Sequence, residues 1–129
     1  MQTLDQQYAA SAYELVLPIR KNVEYKKYGA MAHKLPILIY TAGLVQALEF
    51  VNSRGKPIQQ DLLEHLAITI GLKDKATLLQ TVKRASLSEY IRLTRQILAA
   101  LLWYKRFAQS ILNVDVTEAA MEEDGGAND

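Results

Sequence analysis

The sequence predicts an all-α fold: a compact bundle of five or six helices with a long C-terminal helix and an acidic tail. Three observations carry that expectation. Apolar residues recur at spacings of three and four through nearly the whole chain, and no window alternates convincingly at period two. Only 6 Gly and 3 Pro interrupt a chain that is 50% hydrophobic and 22% charged, a composition that suits soluble helices. At 129 residues the chain is long enough for one real core and too short for two ordinary domains. We expect one helical domain over residues 1–114 and a disordered acidic tail over 115–129.

The elements follow in order. Thr3 and Gln6 have the spacing of a capping box, after which Leu4, Tyr8, Ala12, Leu15, Val16, Ile19 and Val23 form a stripe. That predicts a helix over about 4–23 with a kink at Pro18. A charged connection, RKNVEYKK, leads to a second helix beginning near Tyr28. Pro36 biases Leu35 away from helical angles, so a kink or a break is expected there. Beyond it, Ile39, Gly43 and Ala47 place compact side chains on one face for close helix packing, and Gly55 is expected to end the helix in a left-handed cap.

Pro57 suits the first turn of a third helix, Ile58 to Ile70, with Leu62, Leu63, Leu66 and Ile70 as its apolar stripe and Gly71 as its end. Asp74 caps a fourth, shorter helix carrying Leu78, Leu79 and Val82. Ser86 with Glu89 is expected to form a second capping box ahead of the longest element, about Leu87 to Leu112. On it Tyr90, Thr94, Ile97, Leu101, Tyr104, Ala108 and Ile111 follow one face, which Ile91, Leu98 and Leu102 widen. A stripe that wide faces a core and not a coiled-coil seam.

Several function classes find little support. With no cysteines there is no case for a disulfide scaffold or a thiolate metal site, and a reducing compartment is expected. Asp5, Gln6, Gln7 and Glu14 interrupt any signal-peptide run, and the apolar stretch Leu35 to Val51 contains Pro36, Gln46 and Glu49 and is too short for a bilayer. We therefore expect a cytoplasmic protein without a membrane partner. His33 and His65 have no metal-ligand spacing, Glu14, Glu49, Glu64 and Glu89 fall on different helices, and no phosphate loop or nucleophile elbow is present. No catalytic residue, metal or cofactor is assigned, and the chain is not read as an enzyme. His65 is read as a partly buried structural histidine. His33, inside the basic segment, is read as packing on a helix surface, with a phosphate or base contact as the alternative.

Charge is the informative feature, because it is segregated. Residues 1–114 hold 15 basic side chains against 8 acidic ones, a net +7, while Asp115, Glu118, Glu122, Glu123, Asp124 and Asp129 carry the tail with no basic residue among them. A basic body attracts polyanions through counterion release, although solvated helix faces can have the same composition. Arg20, Lys21, Lys26, Lys27 and Lys34 cluster around the first helix junction, interleaved with Tyr25 and Tyr28. Such a mixture can hold phosphates while tyrosines stack on bases or brace lysine stems, and for Tyr28 a buried structural place is the preferred reading. A second group, Lys83, Arg84, Arg92, Arg95, Lys105 and Arg106 against Glu89, is assigned to the last helix, with Arg92, Arg95 and Arg106 on one outward line. Trp103, between Leu102 and Tyr104, is read as core, or as an aromatic contact for a partner protein.

Two blocks add a family likeness. KKYGAMAHKLPILIYTAGLVQALEF at residues 26–50 and YIRLTRQILAALLWYKRFAQ at 90–109, with the spacing between them, resemble the small all-helical subunit of the Cmr (type III-B) CRISPR effector complex. Lys27-Tyr28-Gly29, Ala32-His33-Lys34-Leu35-Pro36, Tyr90-Ile91-Arg92-Leu93-Thr94 and Lys105-Arg106-Phe107-Ala108 carry the likeness, which spans most of residues 3–112. The resemblance implies a helical bundle without nuclease activity whose copies stack as a filament in an RNA-guided ribonucleoprotein. It implies crRNA and target RNA, the backbone subunits that cut the target, and the large polymerase-like subunit as partners. The acidic tail is not part of the pattern. The alternative reading is a helical protein-interaction adaptor that binds an acidic protein.

Overall fold

The computed structural model describes residues 1–117, and among them it contains six α-helices and no strand. The acidic residues from Glu118 onward, and with them most of the segment expected to be disordered, lie outside the described residues.

Helix α1 (Leu4–Val16) starts at a complete capping box. Thr3 Oγ1 accepts the Gln6 N–H at 3.1 Å, and Gln6 Oε1 accepts the Thr3 N–H at 2.8 Å. The helix ends at Val16, not near residue 23. Pro18 opens a 3₁₀ turn, Leu17–Lys21, where its missing N–H is harmless, instead of kinking a longer helix. Consequently Leu4 and Val23, the outer members of the predicted stripe, are exposed, and Tyr8, Ala12, Val16 and Ile19 are buried.

Helix α2 (Tyr25–Ala42) begins one turn earlier than expected and runs through Pro36. Leu35 and Ile39 on either side of the proline are buried, and tertiary packing of that face outweighs one lost backbone donor. The break comes at Gly43, whose φ of +89° only glycine adopts readily. Ile39, Gly43 and Ala47 therefore do not share one helical face, because Gly43 separates α2 from α3 (Leu44–Arg54). Tyr90 Oη accepts the Val45 N–H at 3.1 Å and satisfies a donor left open where α3 starts. Gly55 ends α3 in extended, not left-handed, conformation. Space is the requirement there, since a Cβ would stand 2.4 Å from the Val51 carbonyl oxygen.

Helix α4 (Pro57–Thr69) opens on Pro57 and closes at Gly71, whose φ is +92°. Helix α5 (Lys75–Arg84) is capped by Asp74, whose Oδ1 accepts the Thr77 N–H at 2.8 Å. Helix α6 (Leu87–Ser110) begins at Ser86, whose Oγ accepts the Glu89 N–H at 3.3 Å. Its buried face is Leu93, Ile97, Ala100, Leu101, Tyr104 and Ala108. Ile91 and Leu102, expected to widen that face, are exposed.

Helix α6 packs along α1 and α2, α4 lies against both of those, and α5 closes the end formed by α3 and α4. A string of polar groups pins this arrangement from inside. Ser11 Oγ meets Thr69 Oγ1 at 2.8 Å, Thr69 Oγ1 meets Tyr104 Oη at 2.7 Å, and Tyr104 Oη donates to the His65 carbonyl at 3.2 Å. Burial pushes the Tyr104 phenol well above its usual range, so it stays protonated and able to donate.

The chain after α6 turns back onto α2. Asn113 takes a left-handed conformation at φ 57°, and Val114 is fully buried over Gly29. A Cβ on Gly29 would lie 2.8 Å from both Val114 Cβ and Val114 Cγ2. With Gly29 beside Val114 and Gly43 beside Tyr90, α2 and α6 run antiparallel. Gly29→Ala should lower unfolding stability by about 1–3 kcal/mol through overpacking. Val114→Ala in the same chain should return part of that loss, measured by urea or thermal denaturation.

Candidate nucleic-acid interface

The cations fall into two groups set by the helix junctions. Arg20 and Lys21 end the 3₁₀ turn, and Lys26 and Lys27 occupy the first turn of α2. Arg20, Lys21 and Lys26 are exposed, and none pairs with a carboxylate among the described residues. Lys27 is half-buried and binds Glu24 at 3.0 Å. Lys34, two turns further along α2, places its ammonium 5.3 Å from the centroid of the Phe50 ring.

On α6, Arg92, Arg95 and Arg106 are exposed. At about 100° per residue they lie within about 60° of one another and roughly opposite Leu93, Ile97, Leu101 and Tyr104. They form a ridge about 21 Å long. Lys105, half-buried, sits about 100° round the helix from Arg106 and off that line. Arg106 is held by a contact that the spacing did not reveal: its guanidinium stacks 4.7 Å from the Trp103 ring centroid. Trp103 in turn donates its Nε1–H to Asp5 at 2.9 Å and packs on Phe107, against which Tyr13 stands edge-on. Trp103 is thus neither core nor free, but a half-buried brace joining the N-terminus to the ridge.

Antiparallel packing of α2 and α6 brings the two groups into relation. Val114 over Gly29 sets the C-terminal end of α6 toward the start of α2 and Tyr90 beside Gly43 sets its N-terminal end toward the end of α2, while Arg92, Arg95 and Arg106 face outward. Glu24 holds Lys27, and Glu49 holds Lys83 at 2.8 Å, which takes Lys83 out of the basic surface.

The tyrosines divide. Tyr28 is buried and its hydroxyl shares a hydrogen bond with His65 Nδ1 at 2.7 Å, so it is structural, whereas Tyr25 is half-buried against the core. His33 is a correction to the surface packing expected of it. It is buried, and its Nε2–H donates to the Val114 carbonyl at 2.8 Å, clamping the segment after α6. Exposed apolar side chains also stand on the outer helices: Ile37 and Tyr40 on α2, Ile91 and Leu102 on α6. Among the described residues no three His, Asp or Glu side chains gather where they could hold a metal ion, and no helix is long and apolar enough to cross a membrane.

Burial holds the His65 imidazole below the ordinary histidine range, and Asp61 and Glu64 offset this in part. Burial pushes the Tyr28 phenol well up, so it keeps the proton it donates. Because the folded ring binds a proton less readily than the unfolded one, the unfolded state gains protons first as pH falls. This contribution is complete above the ordinary value near 6.5 and lost below it. Stability to urea should therefore fall between about pH 7.5 and about pH 5.5, and His65→Gln should flatten that decline. Tyr28→Phe should cost about 1–2 kcal/mol at neutral pH, because the His65 acceptor is left unpaired.

Comparison with known proteins agrees with this architecture. Residues 4–111 match the family model described as CRISPR-associated protein (Cas_Cmr5). A relative from Thermus thermophilus, the CRISPR system Cmr subunit Cmr5, is 45% identical over 112 residues, which is 87% of this chain and 98% of the relative. The X-ray crystal structure of a CRISPR-associated Cmr5 family protein from Thermus thermophilus superposes with a TM-score of 0.83 at 45% identity, covering 87% of this chain and 99% of that one. The family match ends at residue 111, before the acidic segment begins. The chain belongs to the Cmr5 family of CRISPR-associated proteins.

Proposed function

We propose that this protein is the small helical subunit of an RNA-guided Cmr (type III-B) CRISPR ribonucleoprotein in the cytoplasm. It holds guide and target RNA through phosphates and leaves cleavage to other subunits. The observation that carries the reading is the Arg92–Arg95–Arg106 ridge together with Arg20, Lys21 and Lys26: exposed cations without a carboxylate partner among the described residues, on a body of net charge +7. Guanidinium and ammonium groups arranged along helices meet phosphate oxygens without reading base edges, so binding is insensitive to sequence. Lys27, Lys34 and Lys105 flank that surface and supply further positive charge near it. The exposed Ile37, Tyr40, Ile91 and Leu102 supply apolar area for packing on further copies, the backbone subunits and the large polymerase-like subunit.

Single-stranded RNA should bind with an affinity that falls linearly on a logarithmic salt axis. Arg92→Gln with Arg95→Gln should make that slope shallower by about 0.7 for each phosphate no longer neutralised. Lys26→Ala with Lys27→Ala should weaken binding equally for unrelated sequences. Affinity measured by fluorescence anisotropy that ignores salt, or that ranks sequences differently in the variants, would count against the reading. Purification from cells with guide-length RNA supports it, and capture of an acidic protein free of nucleic acid supports an adaptor instead.

A further inference from the structure

We propose that Trp103 is a positioning residue for RNA, presenting the Arg106 guanidinium as the ordered phosphate anchor of the α6 ridge. The proposal rests on the RNA-binding reading and deepens it, because it divides three arginines of equal charge by how they are held.

The contacts run as a chain from α1 to the guanidinium. Arg106 follows Trp103 by three residues and Phe107 follows it by four, so the three side chains meet on one side of α6. The guanidinium carbon lies 4.7 Å from the Trp103 ring centroid, and the Phe107 ring stands 5.9 Å from the same indole. Tyr13, on α1, meets Phe107 edge-on at 5.7 Å. The indole cannot turn freely, because its Nε1–H donates at 2.9 Å to Asp5 in the first turn of α1. Trp103 is half-buried and Arg106 is exposed. The ring is therefore fixed by the fold, and the cation resting on it is open to solvent.

Stacking leaves Arg106 able to bind. A guanidinium on an aromatic face keeps its N–H donors in its own plane, where their fork fits two oxygens of one phosphate. Among the described residues no ring lies against Arg92 or Arg95, the other two members of the line. Those side chains lose rotamer freedom when they meet a phosphate, whereas Arg106 has given up much of it on folding. Equal charge gives each arginine the same share of counterion release, so the advantage of Arg106 lies in a contribution that salt does not remove.

The test uses the full chain and lysine exchanges, which keep the charge but lose the planar fork. Arg106→Lys should weaken single-stranded RNA binding roughly two- to tenfold, by the same factor at each salt concentration, with the salt slope unchanged. The same exchange at Arg95 should weaken it less. Trp103→Leu should weaken binding over the same range, and Arg106→Lys added to Trp103→Leu should have a clearly smaller effect than it has on its own. Asp5→Asn and Asp5→Ala both remove one negative charge, and the asparagine variant, which retains an acceptor for the indole N–H, should bind RNA more tightly. Before RNA is added, the Arg106 Nε–H should be more ordered on the picosecond-to-nanosecond scale than those of Arg92 and Arg95, and Trp103→Leu should abolish the difference.

Losses from Trp103→Leu and Arg106→Lys that simply multiply, in proteins that still bind RNA, would overturn the proposal alone. Equal mobility of the three guanidinium groups, or an equal loss from the Arg95 exchange, would overturn it too. An ordered Arg106 in a natural chain that binds no RNA would sink the RNA-binding reading and, with it, Arg106 as a phosphate anchor.

Discussion

The close approach of Val114 to Gly29 is the constraint on which the arrangement of this surface depends. Only a residue without a side chain lets the chain after α6 settle directly on α2, and the His33 imidazole secures it from the side. That contact sets α6 antiparallel to α2 and buries Val114 after the chain has turned back at Asn113. It brings the chain just after α6 onto the N-terminal half of α2.

A second set of interactions keeps that geometry rigid from within. The hydroxyls of Ser11, Thr69 and Tyr104 and the Tyr28–His65 pair are buried polar contacts that link α1, α2, α4 and α6. Each is satisfied by a partner on another helix, so sliding one helix past its neighbour would strand a donor or an acceptor away from water. Apolar packing alone tolerates such slippage, whereas these bonds set register. The same fixed register holds the spacing of the exposed cations along α6 and at the start of α2.

Much of the fold was legible in the sequence, for local reasons. The caps at Thr3, Asp74 and Ser86 appear where predicted because capping depends on a few adjacent residues. What failed depended on partners far away. Pro36 lies inside a continuous helix because Leu35 and Ile39 are buried on either side, and the break moves to Gly43, where Tyr90 from α6 caps the next helix. Pro18 stops α1 because a 3₁₀ turn accommodates it. His33 is buried because Val114, 81 positions away, supplies an acceptor, and Trp103 leaves the core for Asp5 at a separation of 98. Within the candidate site, the Arg92–Arg95–Arg106 line was readable from helical spacing, whereas the Trp103 brace beneath Arg106 and the capture of Lys83 by Glu49 were not.

Helicity, the starts of most helices and the succession of a basic body and an acidic segment are written in the order of residues alone, since periodicity, capping and net charge are properties of neighbours or of sums. Packing settled where α1 and α2 end, which polar side chains are buried, and that Glu24 holds Lys27 and Glu49 holds Lys83. Most of those outcomes follow from close approaches between residues distant in sequence, and such approaches leave no periodic trace along the chain.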